Sequence, residues 1–411
     1  MQAYVIAGGG IAGISAAEAI RLYDKDSPIT LIAPECVPLY SRPLISMVLE
    51  GEISPDQSVI RTADFYEKLG IHVLRGQQLA EVDTTRGRIR TTKGEEIAYD
   101  RLLIATGAHP RRLDVPGATL PGVFYLRTMA DAQAMVGWVK RGISRALVLG
   151  GGLVGFKAAY GLLRRGVKVT MLIRSAYPLS MQVDEVAGDM VRAQLERAGL
   201  EVRVGVEVKE IVGRQAVEEA RLSDGQSLGC QMIAVGKGVV PAVDFEGAQG
   251  LKKDRGVLVD RGMRTSLEGV YAAGDVAQGW DLVWGEQRVN AIWPVAVEQG
   301  RVAGANMAGA NVVHPGSIGR NVIRVFGLSV MSAGMVKPPE GAKCEVFSCH
   351  EPARSIYRRV VVRDGRLVGM VMVGEVDQGG VLIGLIQRGD RLEIDPRRLI
   401  EPGFNLARLW E

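Results

Sequence analysis

The sequence predicts an α/β fold: two parallel-sheet lobes followed by a smaller C-terminal α+β domain. Three observations predict it. The chain opens as strand, glycine turn and helix, and the same order returns about 140 residues later, which is an internal duplication. After about residue 312 the pattern changes to closely spaced strands with a hairpin turn between two of them.

Ala3–Ala7 (AYVIA) is a short apolar run suited to a buried parallel strand. Gly8, Gly9, Gly10 and Gly13 follow, and Ile14–Leu22 continues with helical periodicity. Ile29–Ala33 (ITLIA) closes a βαβ unit of about thirty residues. In the second copy Ala146–Leu149 is the strand, Gly150 to Gly155 the turn, Phe156–Arg165 the helix and Val167–Ile173 the next strand. Gln77–Tyr99 reads as a small antiparallel insert, and Val202–Val212 with Ala216–Ser223 as its counterpart in the second lobe. Leu102–Ala105 and Gly269–Ala273 are further buried strands, and a helix is expected from about Val295 to Ala308. In the last domain Asn321–Val330, Cys344–Cys349, Tyr357–Arg363 and Leu367–Val373 read as strands and Val381–Arg388 as a helix. Arg363-Asp364-Gly365-Arg366 carries the hairpin signal.

Composition narrows the function classes. The 52 glycines among 411 residues have no collagen-like period and point to tight turns and close backbone approaches. A net charge of +4 without long like-charge runs argues against nucleic-acid binding and leaves room for a locally basic face. Four cysteines are too few and too scattered for a secreted disulfide framework. No apolar run is long enough for a membrane span, and no basic leader precedes the first strand, so the expected location is cytoplasmic.

The glycines carry the chemistry. Gly8-x-Gly10-x-x-Gly13 follows a strand, opens a helix and has Glu35 some twenty residues on, the context that a dinucleotide fingerprint requires. The first glycine makes the turn, the second lets the backbone approach a pyrophosphate, and the third permits close helix–strand packing. The helix N-terminus then offers free N–H groups to the phosphates. Gly150-x-Gly152-x-x-Gly155 repeats the fingerprint in full. Two Rossmann-like lobes imply two dinucleotides, most simply FAD and NAD(P)H, between which a hydride can pass.

Over nearly its whole length the chain resembles the FAD-dependent pyridine nucleotide–disulfide oxidoreductase superfamily. It is most similar to the branch without a disulfide: ferredoxin and rubredoxin reductases and the flavoprotein part of nitrite reductase. The resemblance rests on Tyr40-Ser41-Arg42-Pro43, Ala105-Thr106-Gly107-Ala108, the stretch Gly269 to Val276, Ile292-Trp293-Pro294 with Ala296 to Gly300, and the Val325-Phe326-Gly327 and Tyr357–Gly374 regions. It implies that Glu35 accepts hydrogen bonds from the FAD ribose and that Arg42 and Pro43 lie beside flavin and pyrophosphate. It implies that Thr106-Gly107 closes the FAD lobe and that Asp275, after Gly274, binds the ribityl chain. Trp293, Pro294 and Glu298 would lie near the isoalloxazine, where a helix N-terminus stabilises the reduced flavin.

Cysteine decides the subclass. The C-x4-C pair of a disulfide reductase is missing after the first fingerprint, where Cys36 stands alone, and Arg42 occupies the region where related oxidases carry a redox cysteine. Cys344 and Cys349 have that spacing but fall in an expected C-terminal strand, where an odd separation puts them on opposite faces. No Cys/His cluster suggests a metal, and His72, His109, His314 and His350 are scattered. The position expected to bind the NAD ribose holds Arg174, which could meet a 2′-phosphate, whereas Gly155 speaks for NAD. The balance favours NAD(H) over NADP(H). Lys157 stands where the family commonly has Glu close to the nicotinamide.

The expected organisation is an FAD domain from residues 1–112 and 241–311, an NAD(P) domain from 113–240 and an interface domain from 312–411. The expected function is an FAD-dependent NAD(P)H oxidoreductase that trades a hydride with nicotinamide and single electrons with an iron–sulfur protein or subunit. That chain would work in a hetero-oligomeric complex or as a homodimer. Two alternatives stay open: an NADH oxidase using O2 directly, and a flavin-binding assembly or regulatory protein with little turnover.

Overall fold

The computed structural model describes residues 1–401, 403 and 405, which divide into two compact units. The first comprises Met1–Ile45, Ser54–His109 and Val239–Ser317. The second comprises Ser46–Ile53, Pro110–Gly238 and the chain from Ile318 onward.

At the centre of the first unit is a five-stranded parallel sheet. Its order is Val270–Ala272, Arg101–Ile104, Tyr4–Ala7, Ile29–Ala33, Ile71–Arg75. All four residues of Tyr4–Ala7 are buried, as a strand covered on both faces must be. Helix Ile11–Tyr23 begins three residues earlier than its periodicity predicts, because the glycine turn is already helical from Ile11. Helix Trp293–Met307 packs on it so closely that a Cβ on Gly300 would lie 2.3 Å from the Ala12 carbonyl oxygen, and one on Gly304 2.2 Å from that of Ala16. Equal steps of four on both helices make the pair parallel. The expected antiparallel insert is present as Leu79–Asp83, Arg88–Thr91 and Glu96–Ala98. Glu246–Gly247, remote in sequence, joins its edge.

The second unit repeats the plan. Its parallel sheet runs in the order Glu201–Val204, Lys168–Ile173, Arg145–Leu149, Met232–Val235, Val123–Tyr125. One expectation is corrected here. Glu201–Val204 belongs to this main sheet, and the antiparallel insert is Val208–Val212, Glu219–Leu222 and Ser227–Gly229. Alternating polar residues in the first of these strands mark an edge position, and short-range pattern does not separate an edge strand from an insert.

The C-terminal part is a five-stranded antiparallel sheet, Arg320–Val325, Leu328–Gly334, Arg366–Val373, Ile356–Arg363 and Glu345–Glu351, with helix Gly379–Arg388. Asn321–Val330, read above as one strand, is two, turned at Phe326-Gly327, both at positive φ (46° and 94°). Phe is a poor residue for such a two-residue turn, so the residue types there carry little sign of it. The Asp364-Gly365 hairpin forms as expected, with φ of 53° and 70°. Within this unit Tyr357 and Arg359 of the sheet reach Asp184 at the start of helix Glu185–Arg197.

Candidate active site

The two glycine turns have the same local geometry. Gly8 is at φ +142°, and a Cβ there would lie 1.9 Å from the Ala105 carbonyl oxygen. Gly150 is at φ +111°, with the Gly236 carbonyl oxygen at 2.5 Å from such a Cβ. In each turn the third glycine backs onto the first: a Cβ on Gly13 would be 2.0 Å from the Gly8 oxygen, and one on Gly155 2.0 Å from that of Gly150. The second glycine differs in kind. Neither Gly10 nor Gly152 would bring a Cβ within 4 Å of anything. A backbone bare on one side at the N-cap of a helix is open to an approaching group.

Both helix starts also leave their N–H groups without a side-chain cap. Gly10 and Gly152 are the N-caps, and neither first turn holds an acidic residue. The positive end of each helix therefore stays available to an anion. The residues present fit a dinucleotide's pyrophosphate at both turns.

In the first unit the other sequence-predicted residues group as follows. Gly274, at φ +83°, is wedged between Ala12 and Ala296, its N–H donating to Gln299 Oε1 at 2.9 Å. This puts Asp275 beside the first turn of helix Ile11–Tyr23. The parallel helix Trp293–Met307 has no acidic residue in its first turn and no side-chain cap. Matching Gly300 to Ala12 leaves it about six residues longer at the N-terminal end, roughly 9 Å. Two uncapped helix ends thus face the same way at different depths, an arrangement suited to a long anionic cofactor. Thr106 Oγ1 donates to the Ala242 carbonyl at 2.7 Å, and Gly107 accepts from the Ala242 N–H at 2.9 Å, tying the two crossing segments together.

Glu35 is engaged within the protein. It accepts from Tyr40 Oη at 2.9 and 2.8 Å and pairs with Arg42 Nη2 at 3.1 Å. With Gly9, Ala33, Leu39 and Val37 these residues line a small pocket beside the first glycine turn. Pro43 is the middle residue of a short 3-10 turn, Arg42–Leu44. Glu298 lies on helix Trp293–Met307 with Oε2 3.9 Å from the buried His314 Nε2. Since His314 Nδ1 accepts the Gly316 N–H, the ring proton of the neutral histidine sits on Nε2, facing Glu298.

In the second unit Arg174 is exposed just beyond strand Lys168–Ile173, whose end carries no acidic residue. Lys157 lies in the second turn of helix Leu153–Arg164, and burial pushes its ammonium pKa down while Glu50 pushes it up. The four cysteines are free thiols: Cys36 exposed, Cys230 buried, Cys344 and Cys349 partly exposed. Cys349 lies in strand Glu345–Glu351, but Cys344 precedes it, so opposite-face geometry does not describe the pair. Among the described residues no group of three or more His, Cys, Asp or Glu could hold a metal ion, and no helix is long and apolar enough to cross a membrane.

Sequence reasoning missed Gln299, whose amide fixes the Gly274 turn, and Glu50. The G-x3-G spacing of Gly300 and Gly304 was a legible signal for the close helix pair. Glu50 had none.

Comparison with known proteins decides the family. Residues 2–300 match the model of the pyridine nucleotide-disulphide oxidoreductases. The chain belongs to this family. Residues 320–390 match the rubredoxin NAD+ reductase C-terminal domain. The chain is 32% identical over 397 residues to the NADH-dependent phenylglyoxylate dehydrogenase subunit epsilon of Aromatoleum evansii, covering 96% of this chain and 93% of that one. It is 30% identical over 404 residues to the assimilatory nitrate reductase electron transfer subunit of Bacillus subtilis, covering 98% of this chain and 51% of that protein. The chain thus spans about half the length of that relative. Among solved structures, a ferredoxin reductase from Rhodopseudomonas palustris has the same fold, with a TM-score of 0.90, 24% identity and 99% of each chain covered. The chain is thus a pyridine-nucleotide oxidoreductase by family.

Proposed function

We propose that this chain is the FAD-containing, NAD(H)-reactive component of a redox system whose other member is an iron–sulfur protein or subunit. The observation that carries the reading is the duplicated glycine cradle, each copy with an open second glycine and an uncapped helix. Two such cradles call for two dinucleotides in one chain. The names of the two relatives, one an electron transfer subunit and one a dehydrogenase subunit, support a place in a larger assembly.

In this reading Gly8, Gly10, Gly13, Gly274 and Asp275 hold FAD, with Thr106-Gly107 bracing the lobe behind it. Glu35, Arg42 and Pro43 form the wall beside the first turn. Gly150, Gly152 and Gly155 hold the nicotinamide dinucleotide, and Arg174 flanks its ribose. The start of helix Trp293–Met307, with Trp293 and Pro294, offers a positive end to a reduced cofactor, and Glu298 lies one turn further along. Bound flavin would supply the exchange between two-electron hydride chemistry and one-electron transfer. The protein's own part is orientation and exclusion of water. The domain division follows the three spans given above, with residues 312–411 as the interface domain.

The test is anaerobic mixing of the flavin-loaded chain with NADH and with NADPH in a stopped-flow instrument. Fast bleaching by NADH, followed by reoxidation by a ferredoxin or rubredoxin, is the expected result. Bound FAD that neither nucleotide reduces would overturn the reading for this chain.

A further inference from the structure

The two lobes differ directly beside their glycine turns. In the first, a Cβ on Gly8 would lie 1.9 Å from the Ala105 carbonyl oxygen and 3.1 Å from the Thr106 nitrogen. In the second, a Cβ on Gly150 would lie 2.5 Å from the Gly236 carbonyl oxygen and 3.5 Å from the Lys237 nitrogen. Lys237 therefore stands at the second turn where Thr106 stands at the first. Each comes two residues after a buried strand that pairs with the strand leading into its turn. The Thr106 hydroxyl is occupied by the Ala242 carbonyl. Lys237 brings a cation instead.

Lys237 Nζ donates to Glu207 Oε1 at 3.2 Å, with the side chains 29% and 32% exposed, and neither has another ion-pair partner among the described residues. The two come from opposite sides of the turn. Glu207 follows Val206, whose N–H donates to the Ile173 carbonyl at 3.3 Å, so the acid starts from the end of strand Lys168–Ile173. Lys237 starts from the end of strand Met232–Val235. Strand Arg145–Leu149, which runs into Gly150, lies between those two in the sheet. The ion pair thus spans the carboxyl ends of three neighbouring parallel strands. Within that span the strand order reverses: the chain lays its next two strands on one side of Arg145–Leu149 and returns with Met232–Val235 on the other. Ligands of such open sheets bind in the crevice outside that point. The Glu207 backbone is fixed by Ser223, its N–H donating to Ser223 Oγ at 3.1 Å and its carbonyl accepting the Ser223 N–H at 2.8 Å. The ammonium, on a flexible four-carbon stem, is the member free to move. A partly exposed ion pair stabilises little, so the lysine can leave it readily.

We propose that Lys237 binds the pyrophosphate of the nicotinamide dinucleotide, and that Glu207 is a positioning residue acting through it. Glu207 holds the ammonium at the crevice in the empty lobe and competes for it in the filled one. The proposal rests on the reading of the second glycine turn as the nicotinamide site. In the empty lobe the carboxylate balances the lysine charge. In the filled lobe it faces a doubly charged pyrophosphate and favours release. A dinucleotide that enters in one redox state and leaves in the other must be released at every turnover. A resident flavin needs no such competitor, which accords with the neutral Thr106 in the first lobe.

The test is calorimetric titration of the flavin-loaded full chain with ADP-ribose, which carries the pyrophosphate but no nicotinamide, at about 0.05 and 0.5 M salt. Lys237→Gln should weaken binding about tenfold at low salt and flatten its salt dependence. Glu207→Gln should tighten it about threefold. In the Lys237→Gln background, Glu207→Gln should change it by less than about twofold, because the carboxylate acts through the lysine. A pair that served the fold alone would shift both single variants the same way, or neither, and either result overturns the proposal. A tightening by Glu207→Gln that persists without Lys237 overturns it as well. Flavin spectrum and melting temperature report folding, and Glu207→Gln decides the matter by its sign even if Lys237→Gln is unstable. Wild type that binds ADP-ribose, with both variants unchanged, sinks the proposal and leaves the nicotinamide reading standing. Wild type that does not bind it sinks both.

Discussion

The Tyr357 hydroxyl donates to Asp184 Oδ2 at 2.5 Å, with both side chains buried. Asp184 is the N-cap of helix Glu185–Arg197, yet its carboxylate makes no cap bond and instead receives Tyr357 and, at 3.4 Å, Arg359 Nη1. The contact ties the C-terminal sheet to the nucleotide lobe of the same unit. Tyr357→Phe should cost about 1.5–3 kcal/mol, since it removes a donor from a buried charged acceptor. Chemical denaturation of the flavin-loaded protein measures this. Burial and Asp184 push the Tyr357 hydroxyl up to about 12 from 10.0. The folded state thus keeps this proton to higher pH than the unfolded chain does. The contribution is complete below about pH 10 and is lost as pH rises through about 12, so wild type and Tyr357→Phe should converge in alkaline melts.

The glycine turns separate folding from binding within one motif. Gly13→Ala would place a methyl 2.0 Å from the Gly8 oxygen, which the turn can relieve only by moving the helix off the sheet. Its apo stability should drop by about 3 kcal/mol. Gly10→Ala meets nothing within 4 Å, and its φ of −80° suits any residue. It should fold nearly normally, within about 1 kcal/mol of wild type, yet bind FAD at least about tenfold more weakly. Melting of the apoprotein and fluorescence titration with FAD distinguish the two. Equal loss of stability in both would show that the second glycine serves the fold.

What the sequence revealed, and what it hid, follows the range of the interactions. The βαβ units, the glycine turns and the Asp364-Gly365 hairpin are local, and their residues carry strong conformational preferences. Helix Trp293–Met307 was legible for the same reason, through Pro294 at its start. The strands that escaped correct reading depend on distant partners. Glu246–Gly247 pairs with Leu79–Asp83, and Glu201–Val204 pairs with Lys168–Ile173. The Phe326-Gly327 turn was hidden because Phe gives no turn signal. In the site, residue types were legible but pairings were not: nothing in the spacing shows that Glu35 is held by Tyr40 and Arg42, or that the Glu50 charge reaches Lys157.

The thiols should be spectators. Burial pushes the Cys230 thiol up to about 12, so it should ignore a thiol-reactive disulfide reagent until the protein unfolds. The exposed Cys36 should react first, with Cys344 and Cys349 slower. A triple variant with Ser at 36, 344 and 349 should keep its NADH-driven electron transfer within about twofold of wild type. A much larger loss, with flavin content unchanged, would mean that a thiol carries electrons after all.

On the proposed reading, the choice of dinucleotide should turn on Arg174. It is exposed at the end of its strand, in the position where an NAD site ordinarily offers a carboxylate to the ribose hydroxyls. NADH bound without that carboxylate relies on the glycine turn, so Arg174→Ala should leave the flavin reduction rate and apparent affinity for NADH within about twofold. Any use of NADPH depends on a cation meeting the extra phosphate, and should fall about tenfold in the same variant, equivalent to about 1.4 kcal/mol. Arg174→Asp should go further, improving NADH binding by supplying the missing acceptor and repelling NADPH. Stopped-flow reduction at several concentrations of each nucleotide reads both effects. If Arg174→Ala impaired NADH as strongly as NADPH, Arg174 would be holding a part common to both dinucleotides, and the preference for NAD(H) would have to come from elsewhere in the lobe.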